Sequence, residues 1–166
     1  QYYGSSSGRA AIDAILVKMP LFGDLMIKGG LAKFSRTLST LISAGVPIMD
    51  GMEIGRQVSG NFVLEEAIGR AKESISQGKS MALPFSQEPV IPNLVVQMIS
   101  VGEQTGSLDT MLGKVADFFE DEVEAIVASM TSLIEPIMIV LLGGIIAFLV
   151  VAMYLPIFQM AGTQGG

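Results

Sequence analysis

Between residues 24 and 135, apolar positions recur every three or four residues, which is the spacing of one face of an α-helix. Alternating β-branched runs bounded by turns, the usual signal of strands, do not occur in this sequence. Glycines, prolines and capping residues divide the pattern into segments. We therefore predict an all-α chain of about six helices, at about residues 9–18, 24–44, 47–58, 62–77, 93–103 and from 107 onward, after a Gly/Ser-rich loop at 1–8.

Individual residues set the predicted helix boundaries. Pro20 and Gly23 are expected to stop the first helix, and Gly45 is expected to end the second. Asn61 is a good N-cap for the segment that follows it. Three prolines between residues 84 and 92 predict an irregular stretch with one helical turn.

The last predicted helix, which begins after Ser107, has an apolar stripe that continues into the segment after residue 136. The carboxylates of Asp117, Glu120, Asp121 and Glu124 fall almost opposite this stripe. Like charges at i, i+4 destabilise an isolated helix by a few tenths of a kcal/mol per pair. We interpret this acidic face as a solvated surface, and we leave open that it docks a basic partner or loosely holds a divalent cation.

Residues 137–158 form an apolar run of 22 residues without a charge. As a helix this run is roughly 33 Å long, which is enough to cross a hydrocarbon core of about 30 Å. All ten Lys and Arg residues precede the run, which favours a cytoplasmic location for the N-terminal side. We therefore predict a cytoplasmic antiparallel helical bundle at 9–135, one transmembrane helix at 136–158, anchored in membrane lipid, and a short tail at 159–166.

The composition excludes several kinds of chemistry. The 166 residues include no Cys and no His, which removes disulfides, thiolate nucleophiles, imidazole bases and most zinc or copper sites. A net charge of -6 argues against a nucleic-acid surface. We accordingly predict no metal, no cofactor and no catalytic residue. Without an initiator Met or a signal-peptide pattern at Gln1, the chain is expected to be the tail of a longer protein.

Two further carboxylates stand at predicted boundaries. Residues 101–108, VGEQTGSL, lack the Lys and the glycine spacing of a phosphate-binding loop and follow a helix, so they predict a helix–helix turn in which Glu103 caps or pairs locally. Glu135 lies at the membrane boundary, where its carboxylate can snorkel to water. A membrane-anchored enzyme or adaptor that uses either residue is the remote alternative, because no second acid is spaced to act with them.

Three stretches, in a consistent order, resemble a known family. They are residues 20–54 (PLFGDLMIKGGLAKFSRTLSTLISAGVPIMDGMEI), 101–123 (VGEQTGSLDTMLGKVADFFEDEV) and 133–160 (LIEPIMIVLLGGIIAFLVVAMYLPIFQM). They are similar to the second cytoplasmic domain and the last membrane helix of the inner-membrane platform proteins of type II secretion (protein F) and type IV pilus assembly. The stretches FSRTLSTLISAGVP and YLPIFQM look more like the pilus branch, and the secretion branch is the close alternative.

The resemblance implies a non-enzymatic platform in the bacterial inner membrane, with its helical domain in the cytoplasm and its C-terminus in the periplasm. In this family the platform couples a hexameric assembly or retraction ATPase to insertion or extraction of pilin or pseudopilin subunits. It works beside other inner-membrane alignment proteins and forms homo-oligomers. The motif positions that we expect to serve this assembly are Gly45, Gly102, Glu103, Gly106, Glu135, Pro136 and Pro156.

Overall fold

The computed structural model describes residues 20–162, with side chains for residues 22–158 and 160. All regular structure in this range is helical, which confirms the predicted all-α class. The predicted loop at 1–8 and the predicted helix at 9–18 lie outside the described residues. The helices are α1 (Pro20–Ser43), α2 (Ile48–Val58), α3 (Phe62–Ser76), α4 (Ala82–Ser86), α5 (Asn93–Thr105) and α6 (Leu108–Gly162).

Helix α1 begins earlier than the sequence pattern predicts. Pro20 is its first residue, and Gly23 is buried inside it. The predicted start of this helix at residue 24 is therefore wrong, and the predicted end of the first helix lies outside the described residues. The N–H of the first helical residue has no intrahelical acceptor. Proline, which lacks this N–H and has a φ close to the helical value, therefore fits at this position.

The helix boundaries farther along the chain agree with the predicted capping residues. The Asn61 side chain accepts a hydrogen bond from the Leu64 N–H at 3.1 Å, which confirms it as the N-cap of α3. Gly45 and Gly106 have φ of +84° and +69°, the left-handed conformation that glycine adopts without strain. These turns reverse the chain, and the next helix can pack back on the previous one.

The chain divides into two compact units, Gln1–Ile126 and Val127–Gly166, and the division falls inside α6. The first unit holds an apolar core in which the rings of Phe34 and Phe85 lie 6.0 Å apart. Burial of each large apolar side chain contributes about 1.5–3 kcal/mol. The other large side chains that are fully buried are Leu31, Leu38, Met52, Leu64, Ile68, Val95, Ile99, Leu112, Val115 and Phe119.

Helix α6 runs antiparallel to α1 within the first unit. The Ser43 hydroxyl donates to Asp109 at 3.1 Å, and the Lys28 ammonium donates to Glu122 at 2.8 Å. Residue numbers therefore rise along α6 as they fall along α1, as an antiparallel bundle requires. This pairing buries the start of the predicted apolar stripe of α6, whereas Phe118 within the stripe is 46% exposed.

The described part of the second unit is the remainder of α6. Of the described residues, this helix alone contains a segment long and apolar enough to cross a membrane, judged by length and composition. Pro136 and Pro156 both lie inside the helix. The helix continues to Gly162, so the first residues of the predicted tail at 159–166 are helical, and residues 163–166 lie outside the described part.

Candidate functional site

Glu103 connects two segments of the first unit that are distant in sequence. Its Oε1 accepts the Met81 N–H at 2.5 Å, and its Oε2 accepts the Ala82 N–H at 3.2 Å. These N–H groups begin α4, whose own N-cap residue, Met81, makes no side-chain cap bond. The first N–H groups of a helix lack intrahelical acceptors, so Glu103 supplies them from α5. The sequence predicted a cap or pair within residues 101–108, and the carboxylate instead caps another helix.

The turn that follows Glu103 depends on two glycines. A Cβ added to Gly102 would lie 2.8 Å from the Cα of Leu108, closer than real Cβ contacts come. The Gly102 carbonyl accepts the N–H groups of Gly106 and Ser107, the latter at 3.0 Å. The chain can therefore turn tightly from α5 into α6 only because residue 102 has no side chain and residue 106 adopts a positive φ.

A pocket of about 450 Å³ opens at this end of the first unit; we call it the bundle-end pocket. The end of α1, the start of α2, the end of α3, the end of α5 and the start of α6 all contribute to it. It therefore brings together Gly102, Glu103 and Gly106 from the predicted motif positions. The side chains that line it are Ile42, Ile48, Ile75, Lys79, Met81, Glu103, Leu108 and Asp109.

The two carboxylates of the bundle-end pocket are held by neutral groups. The Asp109 carboxylate accepts the Ser43 hydroxyl at 3.1 Å, and the Asp109 backbone carbonyl accepts the Ser39 hydroxyl at 2.7 Å. Glu103 is held by backbone N–H groups. Within the part of the chain that the structure describes, no Lys or Arg forms a salt bridge with either carboxylate. Both groups are thus fixed in position by neutral donors, without an ion pair.

Other carboxylates of the first unit are neutralised within the fold. Glu53 accepts hydrogen bonds from Lys72 at 2.6 Å and from Arg56 at 2.9 Å. These two cations, Lys72 first, lower the pKa of Glu53 to about 2. Arg70 holds Glu88 through two parallel bonds of 2.9 and 2.8 Å, which raise the pKa of the Arg70 guanidinium.

The predicted acidic face of α6 separates into two parts. Arg36 of α1 donates to Glu120 at 3.1 and 2.9 Å and to Asp117, and these bonds raise the pKa of Arg36. Asp121 and Glu124 are exposed and have no recorded partner among the described residues. No group of three or more carboxylates that could hold a metal ion occurs in the same residues.

The pairing of Arg36 with half of this face does not follow from the sequence pattern alone. The available signal was the order of the charges: Lys28 precedes Arg36 on α1, whereas Glu122, the partner of Lys28, follows Glu120, the partner of Arg36. That signal becomes usable only when α1 and α6 are known to be antiparallel neighbours.

The remaining predicted positions lie apart from the bundle-end pocket or outside the first unit. Gly45 forms the α1–α2 turn, with open space where a Cβ would be. Glu135 is exposed, and Pro136 lines a wholly apolar groove of about 460 Å³ with Ile137, Val140 and Leu141. Pro156 is exposed near the end of α6.

The chain is similar over most of its length to proteins of one family. The chain matches the family model described as type II secretion system (T2SS), protein F, over residues 34–156. It is 46% identical over 161 residues to type IV pilus assembly protein PilC of Myxococcus xanthus, covering 97% of this chain and 39% of that protein. PilC of Thermus thermophilus is 47% identical over 163 residues, covering 98% and 40%. Type II secretion system protein F of Xanthomonas campestris is 31% identical over 157 residues, covering 95% and 39%. The chain thus spans about two fifths of the length of these curated relatives.

Proposed function

Because this chain belongs to the type II secretion system protein F family, we propose that it is part of the inner-membrane platform of a type IV pilus assembly machine. The observation that carries the pilus assignment is sequence identity. It is 46% and 47% to two type IV pilus assembly proteins, against 31% to a type II secretion protein F. The proposed role is mechanical and non-enzymatic, as the names of these relatives describe assembly and secretion components.

The proposed location is the bacterial inner membrane, crossed by residues 136–158. Three observations support it: the segment has no charge, its side chains are exposed, and every Lys and Arg precedes it. An uncharged helix of this length is stable in lipid, and basic residues favour the cytoplasmic side. In this orientation the first unit faces the cytoplasm and the C-terminus faces the periplasm.

The proposed partners are a hexameric assembly or retraction ATPase, pilin subunits, other inner-membrane alignment proteins and further copies of the chain. Helix α6 contributes Leu112 and Phe119 to the core of the first unit and also contains the candidate membrane span. A displacement imposed on the packed part of a helix is carried along its hydrogen-bonded backbone. We propose that α6 carries movement in this way.

A binding experiment tests the ATPase part of the proposal. The whole chain in nanodiscs is titrated with the cognate hexameric ATPase, and the dissociation constant is compared with those of Asp121→Lys and Glu124→Lys. These exposed acids are better probes than Asp117 and Glu120, whose reversal would place a lysine against Arg36. If the acidic face docks the ATPase, each reversal weakens binding by about tenfold.

Glu73→Lys on α3 is the matched control, because it makes the same charge change at another exposed acid. Binding that all three variants leave unchanged assigns Asp121 and Glu124 to solvated surface. Absence of binding by the wild-type chain refutes ATPase coupling through this part of the protein.

A chimera experiment separates the pilus branch from the secretion branch. The chain replaces the matching segment of the Myxococcus xanthus PilC and, in parallel, of the Xanthomonas campestris secretion protein F. We expect the first chimera to restore pili and the second to leave secretion defective. The reverse result assigns the chain to the secretion branch.

The enzyme alternative is less favoured by the geometry. Both oxygens of Glu103 accept backbone N–H groups, which leaves this carboxylate poorly placed to take a proton from a substrate. Glu135 is exposed in the second unit and has no recorded side-chain partner among the described residues. Retention of pilus assembly by the PilC chimera carrying Glu135→Gln would agree with a non-enzymatic role, because a catalytic carboxylate does not tolerate this change.

A further inference from the structure

We propose that the bundle-end pocket receives an apolar side chain that a partner protein carries next to a lysine or arginine. This inference rests on the proposed function and deepens it, because it names the chemistry by which a platform partner would be recognised. It is distinct from the acidic face of α6, which does not line this pocket.

The apolar walls of the pocket support the proposal that it receives an apolar side chain. Its walls are Ile42, Ile48, Ile75, Met81 and Leu108, and Ile48 is 39% exposed. A volume of about 450 Å³ falls in the range of sites that enclose ligand groups, about 300–1,000 Å³. A partner that covers apolar surface otherwise open to water gains favourable binding free energy.

The charges at the pocket support the proposal that the partner carries a lysine or arginine beside this side chain. Glu103 and Asp109 are fixed by neutral donors, so their negative charges remain available to a partner. Lys79, which also lines the pocket, has no recorded ion-pair partner in the described residues and offsets one of the two charges. The pocket therefore keeps a net negative charge, and complementary charge favours a cationic neighbour over an anionic one.

The pocket is held in shape by the backbone around it. Gly102 and Gly106 fix the turn between α5 and α6, and Glu103 ties that turn to the start of α4. Helix ends from five different elements meet there. A preformed site loses little conformational entropy when it is filled, and binding is stronger for that reason.

Defined peptides on the intact chain in zwitterionic nanodiscs test the proposal. The probe is acetyl-KLLKALLK-amide. Its matched peptides are acetyl-ELLEALLE-amide, which reverses the charge, and acetyl-KSSKASSK-amide, which replaces the leucines with serine. The chain carries methionines labelled with ¹³C at the ε-methyl. Met81 lines the pocket and reports on it, whereas Met52 is buried in the core and serves as the internal reference.

We expect only the basic apolar peptide to shift the Met81 resonance in a saturable way. Ile48→Ser removes part of the apolar wall and weakens this binding by about tenfold. Asp109→Asn keeps an acceptor for Ser43 but removes the charge, and weakens it by about threefold. Ile54→Ser, at an exposed isoleucine of α2, and Asp121→Asn, at an exposed acid of α6, lie outside the pocket and leave the affinity unchanged.

Three outcomes overturn the inference: equal shifts with the acidic peptide, affinity that Ile48→Ser does not change, or no Met81 shift at all. A Met81 shift that grows with protein concentration without peptide assigns the pocket to a second copy of the chain instead. Failure here is separable from failure of the platform proposal, because the ATPase titration and the chimeras do not use these peptides.

Discussion

Replacing Glu103 with alanine removes both acceptors from the first turn of α4. The Met81 and Ala82 N–H groups lose bonds of 2.5 and 3.2 Å, and Met81 is only 3% exposed, so water replaces the carboxylate poorly at that residue. A hydrogen bond to a charged group contributes about 1.5–3 kcal/mol, and loss of a helix cap typically destabilises by about 1 kcal/mol. Since Ala82 lies nearer to solvent, we expect a local loss of about 1.5–3 kcal/mol.

Hydrogen exchange on the whole chain in nanodiscs measures this loss directly. A local opening free energy that falls by about 1.5–3 kcal/mol raises the exchange rates of the Met81 and Ala82 amides by roughly 10- to 150-fold. Glu103→Gln retains one acceptor oxygen and should lie between wild type and Glu103→Ala. Exchange within α3 should stay unchanged, because α3 keeps its own Asn61 cap.

Gln104→Ala is the matched control for Glu103→Ala. Gln104 is the adjacent residue on α5 and donates only to the Ser100 hydroxyl on the surface, at 3.1 Å. If the Met81 amide exchanges no faster in Glu103→Ala than in Gln104→Ala, the carboxylate does not stabilise the start of α4. The account of Glu103 as a cap between two segments would then be refuted.

Three further predictions concern packing, pH and anchoring. Gly102→Ala should destabilise the first unit by about 1–3 kcal/mol in urea unfolding because the backbone of Leu108 cannot move aside, whereas Gly69→Ala, which meets only a flexible guanidinium, should be nearly neutral. The folded pKa of Glu53, about 2, lies below its ordinary value of 4.5. The difference in unfolding free energy between wild type and Glu53→Gln should therefore be fully present above about pH 5 and shrink as pH falls from 4.5 toward 2. A difference that does not change with pH would contradict this. Deleting 137–166 should move the chain into the soluble fraction on ultracentrifugation, and retention on membranes would show that the apolar end of α6 is not its sole anchor.

Local features of the fold were predictable from the sequence because each depends on a few adjacent residues. Asn61 caps α3 through the N–H of a residue three positions away, and Gly106 ends α5 through its own φ. The start of α1 was misplaced because proline both stops a helix and opens one, and which role Pro20 plays depends on the helical residues after it. A local pattern does not distinguish these two cases.

Features that join distant segments were not predictable from the sequence. The bond from Glu103 to Met81 crosses 22 residues, and the pair of Arg36 and Asp117 crosses 81. Periodicity gives the face of a helix on which a side chain lies, but it does not give the helix that this face meets. The bundle-end pocket likewise combines five helix ends, so single motifs such as VGEQTGSL indicate its parts without indicating the cavity.

The partners of each carboxylate predict whether its substitution changes stability, partner binding or both. Glu53 and Glu120 face cations of the same chain, so their charges are neutralised in the fold, and changing them should alter stability before binding. Asp121 and Glu124 are exposed, so reversing them should alter only an encounter with a partner and should do so less at high salt. Glu103 stands between these classes, since neutral donors fix its position and leave its charge available. Changing it should therefore affect both stability and recognition, and the ratio of the two effects in Glu103→Gln, measured by exchange at Met81 and by peptide affinity, separates the two contributions.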